Sequence, residues 1–326
     1  MIECAMLMCP KCRQVLEPIA DREVVCSCGE TYPRLLSSGI DFLQGAEFTD
    51  FVLEEENPEQ RAILDLETAG IAARMAHFLI PLISSYARNR GKAPDSLAVL
   101  DCGCGNGLSI DLLREQGMRG WGIDAGRARH QQWQKRRERR HLISASALGI
   151  PFADASFDVV LSSGLVEHIG IHEEENGGYR SHRLSCCHGQ RQQFIRELVR
   201  VLKPDGFVLL DHPNGAFPAD FWHGGAAGSI RWHWPRGDML PSFPEIAAYF
   251  RAADPSLRLV SISPHRRLGF QKVGAHWYGK LFTPAMRAWL RLMDIRPLSF
   301  LARGLLNPYL VTVASRQPDA VQWIRP

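Results

Sequence analysis

Downstream of residue 96 the chain alternates two patterns: short, nearly continuous apolar runs, and stretches whose apolar positions recur every three or four residues. The first suits a buried strand and the second an amphipathic helix, so the alternation predicts βα units and a mostly parallel sheet. Candidate strands are Leu97–Cys102, Gly120–Asp124, Leu142–Ala145, Phe157–Ser162, Phe207–His212, Arg258–Ser263 and Leu310–Ala314. Helices are expected near 107–116, 126–138, 190–202 and 243–253. Upstream, Ile63, Leu64, Ile71, Met75, Phe78 and Leu82 keep helical spacing, which predicts a helix from Asn57 to about Asn89. Asn57 can cap it and Pro58 suits its first turn, whereas Pro81 should kink or split it. Gly91–Ser96 reads as a linker.

Residues 1–44 follow neither pattern. They carry Cys9-Pro10-Lys11-Cys12 and Cys26-Ser27-Cys28-Gly29, with short β-like stretches at Val15-Leu16 and Val24-Val25. Two Cys pairs facing each other across a hairpin supply four thiolates, the tetrahedral set of a structural zinc site. So small a unit buries little surface, whereas zinc contributes about 10–16 kcal/mol in finger peptides. Zn²⁺ on Cys9, Cys12, Cys26 and Cys28 is therefore expected, although the second pair is Cys-x-Cys rather than Cys-x-x-Cys. The chain divides into a module at 1–44, a helical cap at 45–95, and a main domain at 96–316 with insertions at 170–189, 214–244 and 265–308.

Composition changes this picture little. At 326 residues, 45% hydrophobic and 22% charged, the chain has a globular balance, and a net charge of +3 neither demands nor excludes an anionic partner. No basic leader precedes the first apolar residues, and no transmembrane span stands out, so a cytoplasmic location is expected. Cysteines stay reduced there, which favours ligands over disulfides.

The candidate chemistry begins where the first strand runs into Asp101-Cys102-Gly103-Cys104-Gly105-Asn106-Gly107. Glycine serves where a backbone turns sharply and approaches a ligand. A dinucleotide loop runs Gly-x-Gly-x-x-Gly, but here an acid precedes three alternate glycines. S-adenosylmethionine (SAM) is cationic and carries no phosphate, so an acidic loop suits it better than a pyrophosphate. Asp124, at the end of the second strand and 17 positions beyond Gly107, is placed to accept hydrogen bonds from a ribose diol, with Ala125 beside it.

The block Ile150-Pro151-Phe152 through Phe157-Asp158-Val159-Val160 to Glu167-His168-Ile169, followed by Leu198-x-Arg200-Val201-Leu202-Lys203-Pro204-Asp205-Gly206, resembles the ubiquinone/menaquinone-type class I SAM methyltransferases (methyltransferase type 11) over 97–214. The resemblance implies an α/β, Rossmann-like, doubly wound seven-stranded sheet with SAM at the carboxyl ends of its first strands. It places Asp101, Gly103, Gly105, Asn106, Gly107, Asp124, Ala125, Ser146, Ala147 and Ser163 around the cofactor. Where that family usually carries an Asp for the adenine amino group, this chain has Ser146, whose oxygen can accept the same bond. The segment Cys9-Pro10-x-Cys12, Cys26-x-Cys28-Gly29-x-x-Tyr32-Pro33 and Gly39-Ile40-Asp41-Phe42-Leu43 resembles the small zinc-binding activators of tRNA and protein methyltransferases.

Methyl transfer from a sulfonium needs alignment before it needs a base; orientation supplies roughly 7–11 kcal/mol, against about 10²–10⁴ in rate from a general base. His168, after the fourth strand, is the base candidate, with His212 and His223 as alternatives. Polar residues at 170–189 suggest a solvated substrate-facing loop, and Phe217, Phe221, Trp222, Trp232 and Trp234 suggest an apolar roof or a simple cover for the sheet. A basic amphipathic helix near 277–295 suits a lid, or peripheral contact with a membrane. The basic run Arg127–His141 suits a solvated face better than RNA. A small, partly apolar metabolite is the expected acceptor; the alternatives are RNA, and a non-catalytic SAM-binding or methyltransferase-activating protein.

Overall fold

The computed structural model of the protein describes residues 7–16, 23–34, 39–44, 58–174, 180–223, 230–233, 239–268 and 277–318. Seven strands form the central sheet: β3 (Ala98–Cys102), β4 (Arg119–Asp124), β5 (Leu142–Ser144), β6 (Phe157–Ser163), β9 (Leu202–Pro213), β12 (Arg258–Ile262) and β13 (Tyr309–Ser315). Their order is β12-β13-β9-β6-β3-β4-β5, and only β13 runs against its neighbours. All seven predicted strands are present, with ends shifted by a residue or two, apart from β9, which starts at Leu202 rather than Phe207. This is the class I, Rossmann-like methyltransferase fold. The chain leaves β3 toward β4 and returns to β6 on its other side, so a crevice opens at the carboxyl ends of β3 and β6, where open α/β sheets bind ligands.

Lys92, in the expected linker, fixes the entry to β3. Its ammonium contacts Asp158 Oδ1 at 2.6 Å and Asp205 Oδ2 at 2.6 Å, while Lys203 takes Asp158 Oδ2 at 2.8 Å. Burial alone would raise the Asp158 carboxyl, but Lys203, Lys92 and the Ala98 N–H together hold it below the usual carboxylate range.

The helix before the sheet is neither broken nor simply kinked at Pro81. Helix α1 (Pro58–Arg74) passes through one π-helical turn, Met75–Leu79, into α2 (Ile80–Asn89). Proline has no N–H to donate, and its ring collides with the carbonyl four residues back. Widening the preceding turn moves that carbonyl away, and the Ile80 N–H closes it on Met75 O. The predicted cap Asn57 lies outside the described residues. Leu64–Asn89 is long and apolar enough, at mean hydropathy 1.3, to cross a membrane. A third of it is buried, with Met75, Ile83 and Tyr86 fully enclosed in the core.

Two insertions carry structure the hydrophobic pattern did not show. Within 170–189, β7 (Ile171–Glu174) and β8 (Arg180–Arg183) form an antiparallel hairpin, and α5 (Cys187–Val201) starts three residues earlier than expected. In the second, β10 (Ala219–Asp220) pairs with β11 (Arg231–Trp232); Trp234 lies outside the described residues. Helix α3 (Leu108–Glu115) and α6 (Phe243–Ala253) fall where predicted. Helix α4 (Arg127–Trp133) ends five residues short of the expected 138.

The N-terminal segment is built onto the edge of the sheet. Strands β1 (Glu23–Val25) and β2 (Thr31–Pro33) form its hairpin. The backbone of 39–42 runs along β5, with Gly39 N–H to Leu142 O at 2.9 Å, Ser144 N–H to Ile40 O at 3.1 Å and Phe42 N–H to Ser144 O at 2.8 Å. Asp41 Oδ1 also accepts from Ser144 Oγ at 2.7 Å. Leu7, Leu16, Val24 and Ile40 join one buried cluster with Ile143, Ile150 and Phe152 of the main domain.

Candidate cofactor and acceptor site

Gly103, Gly105 and Gly107 have φ of +85°, +54° and +76°, conformations that L side chains rarely adopt. A Cβ on Gly107 would also stand 2.5 Å from Leu142 Cδ1. The loop is pinned to the end of β4 by bonds from Gly103 N–H and Cys104 N–H to Ile123 O, at 2.9 and 3.0 Å. Asp124 completes the turn: Oδ2 accepts from Gly105 N–H and Oδ1 from Gly126 N–H, both at 2.8 Å. Burial raises the Asp124 carboxyl, against those two donors. Asp101 is likewise raised by burial, with Arg74 opposing the shift, and accepts from Ser109 Oγ at 2.5 Å. Cys102 and Cys104 are packed in the core, and burial pushes both thiols up, so they are inert fillers.

Part of the basic run is folded inward onto this loop. Trp133 Nε1–H bonds Gly105 O at 2.8 Å, Arg136 Nε–H bonds Asn106 O at 2.9 Å, and Arg129 pairs with Glu67 of α1 at 2.8 Å. These contacts account for the early end of α4. Trp133 was the overlooked signal: one large apolar residue in a run of cations marks the face that turns inward. Ser146 Oγ accepts from Leu148 N–H at 3.2 Å, beside Ala147.

A cavity of about 1160 Å³ adjoins the loop across Glu67 and the carboxyl end of β6. One wall is α1 and the π turn, with Glu67, Ile71, Arg74 and His77. Opposite stand Ser163, Gly164, Glu167, His168 and His223, and the roof holds Phe221, Trp222 and Tyr309. Helix α7 (Trp277–Leu292) closes the side with Phe282, Met286, Arg287 and Arg291, anchored in the core by Leu290. Trp232 of the aromatic insertion points outward, at 73% exposure.

The cavity floor is an ionic network. Asp211 Oδ1 receives Arg267 at 2.7 Å and the Tyr309 hydroxyl at 2.6 Å; Oδ2 receives Ser163 Oγ at 2.7 Å. Burial alone would raise Asp211, but Arg267 foremost, then Arg74 and Tyr309, depresses it. Ser163 is therefore tied to the floor as well as to the cavity. His168 lines the wall, its Nδ1 2.5 Å from Glu173 Oε1, and His223 stands across from it with ring centroids 5.1 Å apart. His223 Nδ1 lies 2.8 Å from Asp220 Oδ2, which Arg231 also holds. His212 is elsewhere: it is fully buried behind the wall, Nδ1 against Pro213 O at 2.8 Å, and burial lowers its pKa.

In the N-terminal module, the sulfurs of Cys9, Cys12, Cys26 and Cys28 all lie within 4.8 Å of one another. The pairs Cys12–Cys26 and Cys9–Cys28 are 3.3 and 3.8 Å apart, close to the ~3.8 Å edge of a tetrahedron with 2.3 Å Zn–S bonds. The thiols shift in opposite directions: against burial, the Tyr32 hydroxyl and backbone donors bring Cys9 down to about 6, whereas burial and the neighbouring thiols push Cys12 up to about 12 and raise Cys28.

This sheet order, with a glycine loop after β3 and an acid after β4, is that of the class I methyltransferase fold. Residues 100–210 match the family model described as a methyltransferase domain. The chain is 29% identical over 116 residues to a probable S-adenosylmethionine-dependent methyltransferase of Mycolicibacterium smegmatis, covering 36% of this chain and 38% of that protein. It is 30% identical over 149 residues to the cypemycin N-terminal methyltransferase of a Streptomyces species, covering 45% and 53% respectively. The chain thus spans between about a third and a half of these curated relatives. Among solved structures, the complex of the Haloferax volcanii Trm112 methyltransferase activator with a putative methyltransferase aligns at TM-score 0.43 and 17% identity, over 78% of this chain and 95% of that one.

Proposed function

We propose that the protein transfers the methyl group of SAM to a small, partly apolar acceptor held in the cavity beside the glycine loop. The observation that carries this reading is the cavity itself. Its volume exceeds the roughly 300–1,000 Å³ typical of a single small-molecule site, which leaves room for the reactive end of SAM and an acceptor together. Residues present suit the cofactor: a loop whose glycines leave the backbone bare, and two buried carboxyls that burial destabilises and a cation or hydroxyl donor relieves. Bound there, SAM supplies an electrophilic methyl; the protein's share is to align the acceptor. His168, with Glu173 on Nδ1, is the side chain placed to take an acceptor proton.

RNA is the second reading, suggested by the zinc-binding module ahead of the domain and by the basic run Arg127–His141. Arg129 and Arg136 of that run are committed to Glu67 and Asn106, which weakens the case. Incubation with labelled SAM and separate small-molecule and RNA extracts decides between them: label in a small organic product supports the proposal, and label only in RNA overturns it. We assign Zn²⁺ to the four-cysteine cluster on its sulfur spacing. Metal analysis of wild type against Cys12→Ser checks it; one zinc per chain, lost in the variant, is expected.

A further inference from the structure

We infer that Glu167, His168 and His223 form a divalent-metal site in the cavity wall, separate from the four-cysteine cluster and positioned to hold an oxygen of the acceptor. The inference rests on reading the cavity as the acceptor site. One ligand atom from each residue lies within 4.8 Å of the other two. Donors about 2.1 Å from a shared ion stand roughly 3.0–3.4 Å apart, so small side-chain rotations close the set. Two imidazoles and one carboxylate on one side of an ion leave positions open on the other, and they suit Mn²⁺, Fe²⁺, Co²⁺ or Zn²⁺.

Two further observations point to a ligand there. Glu167 is 1% exposed, yet its buried Oε2 has no hydrogen-bond partner among the described residues, an arrangement whose cost a cation removes. Both histidines have a carboxylate on Nδ1, Glu173 for His168 and Asp220 for His223. An outer carboxylate on the second ring nitrogen is the usual support of a metal-bound histidine, since it fixes the ring and makes the ligating nitrogen more basic. Asp220 is itself held by Arg231 at 2.8 Å and by the backbone N–H groups of Trp222 and His223. Glu167 is fixed by its main chain, because buried Arg191 donates to Glu167 O at 3.1 Å.

A hydroxyl of the acceptor bound to this ion loses its proton to solvent more readily. The resulting alkoxide or phenolate oxygen attacks the methyl carbon; the new O–CH₃ bond forms as the S⁺–CH₃ bond breaks, and its electrons neutralise the sulfur. With metal bound, deprotonation passes from the His168 imidazole to the ion, and the histidine becomes a ligand. This narrows the acceptor to one bearing a hydroxyl.

Co²⁺ titration of the full chain, followed optically and by calorimetry, tests the site. Wild type is expected to take up two equivalents: one with thiolate charge-transfer absorption, lost in Cys12→Ser, and one without it, lost in Glu167→Gln and in His223→Asn. Melting of each variant without metal, within a few degrees of wild type, shows that it is folded. Uptake of the thiolate-type ion alone by wild type, or retention of both equivalents in folded Glu167→Gln and His223→Asn, overturns the proposal. Neither result touches SAM binding, which calorimetry reads separately, so failure of the metal site and failure of the methyltransferase reading are distinct.

Discussion

The Asp101–Gly107 loop takes its shape from the backbone, whereas the adjoining cavity takes its shape from side chains drawn from distant segments. In the loop, three left-handed glycines, a tryptophan beneath and an aspartate at the neighbouring strand leave little room for change. In the cavity, α1, the π turn, β6, the aromatic insertion and α7 each contribute a few residues, and several of these face solvent. A protein built this way holds the cofactor by a rigid device and can vary the acceptor by changing its walls. The contrast predicts that loop substitutions cost cofactor affinity and stability together, while substitutions of exposed wall residues affect the acceptor alone.

Gly107→Ala is expected to have the largest effect. It combines a left-handed φ with a contact at 2.5 Å, so a stability loss of about 2–4 kcal/mol in urea unfolding and the disappearance of SAM binding are expected. Wild-type SAM affinity in this variant would break the comparison at its centre. Next, Asp124→Ala should weaken SAM at least tenfold in calorimetry, with unchanged affinity removing the ribose assignment.

Acid provides the third test, at the cavity floor. The folded pKa of Asp211 lies below its unfolded value, so its stabilisation is present above the ordinary carboxylate range near 4 and is lost as pH falls through the folded pKa. Asp211→Asn should be less stable at pH 7, with the gap to wild type narrowing in urea titrations taken toward pH 3. Trp133→Phe, which loses one hydrogen bond of about 1 kcal/mol to Gly105 O, should weaken SAM roughly fivefold. Phe282→Ala should leave SAM affinity within about twofold while raising the acceptor KM, because this ring is 62% exposed and lies on α7. A tenfold loss of SAM affinity there would show that wall and loop are not independent.

Legibility in the sequence follows the same division. The strands were readable because each is a nearly continuous apolar run, and the loop because only glycine tolerates its backbone. The four cysteines were readable from their spacing, and the structure brings their sulfurs together. The cavity was not readable, since Asp211, Arg267, Tyr309 and Arg74 meet only after the sheet has folded. His168 and His212 looked alike as histidines after strands, yet strand register sends one to the cavity and buries the other. Pro81 carried a warning of distortion, but not that the preceding turn would widen into a π turn closed by Ile80 N–H on Met75 O.

The backbone of 39–42 on β5 has a consequence for the order of events during synthesis. Gly39 pairs with Leu142, more than a hundred residues later in the chain. At about 5–20 residues per second, the N-terminal segment waits roughly 5–20 s after emerging before its docking strand exists. Throughout that interval Leu7, Val24 and Ile40 lack their later partners Ile143, Ile150 and Phe152. An early intramolecular cross-link at the four cysteines would keep the segment compact until β5 arrives. Depriving cells of zinc should therefore lower the yield of newly made protein more than it unfolds protein already assembled.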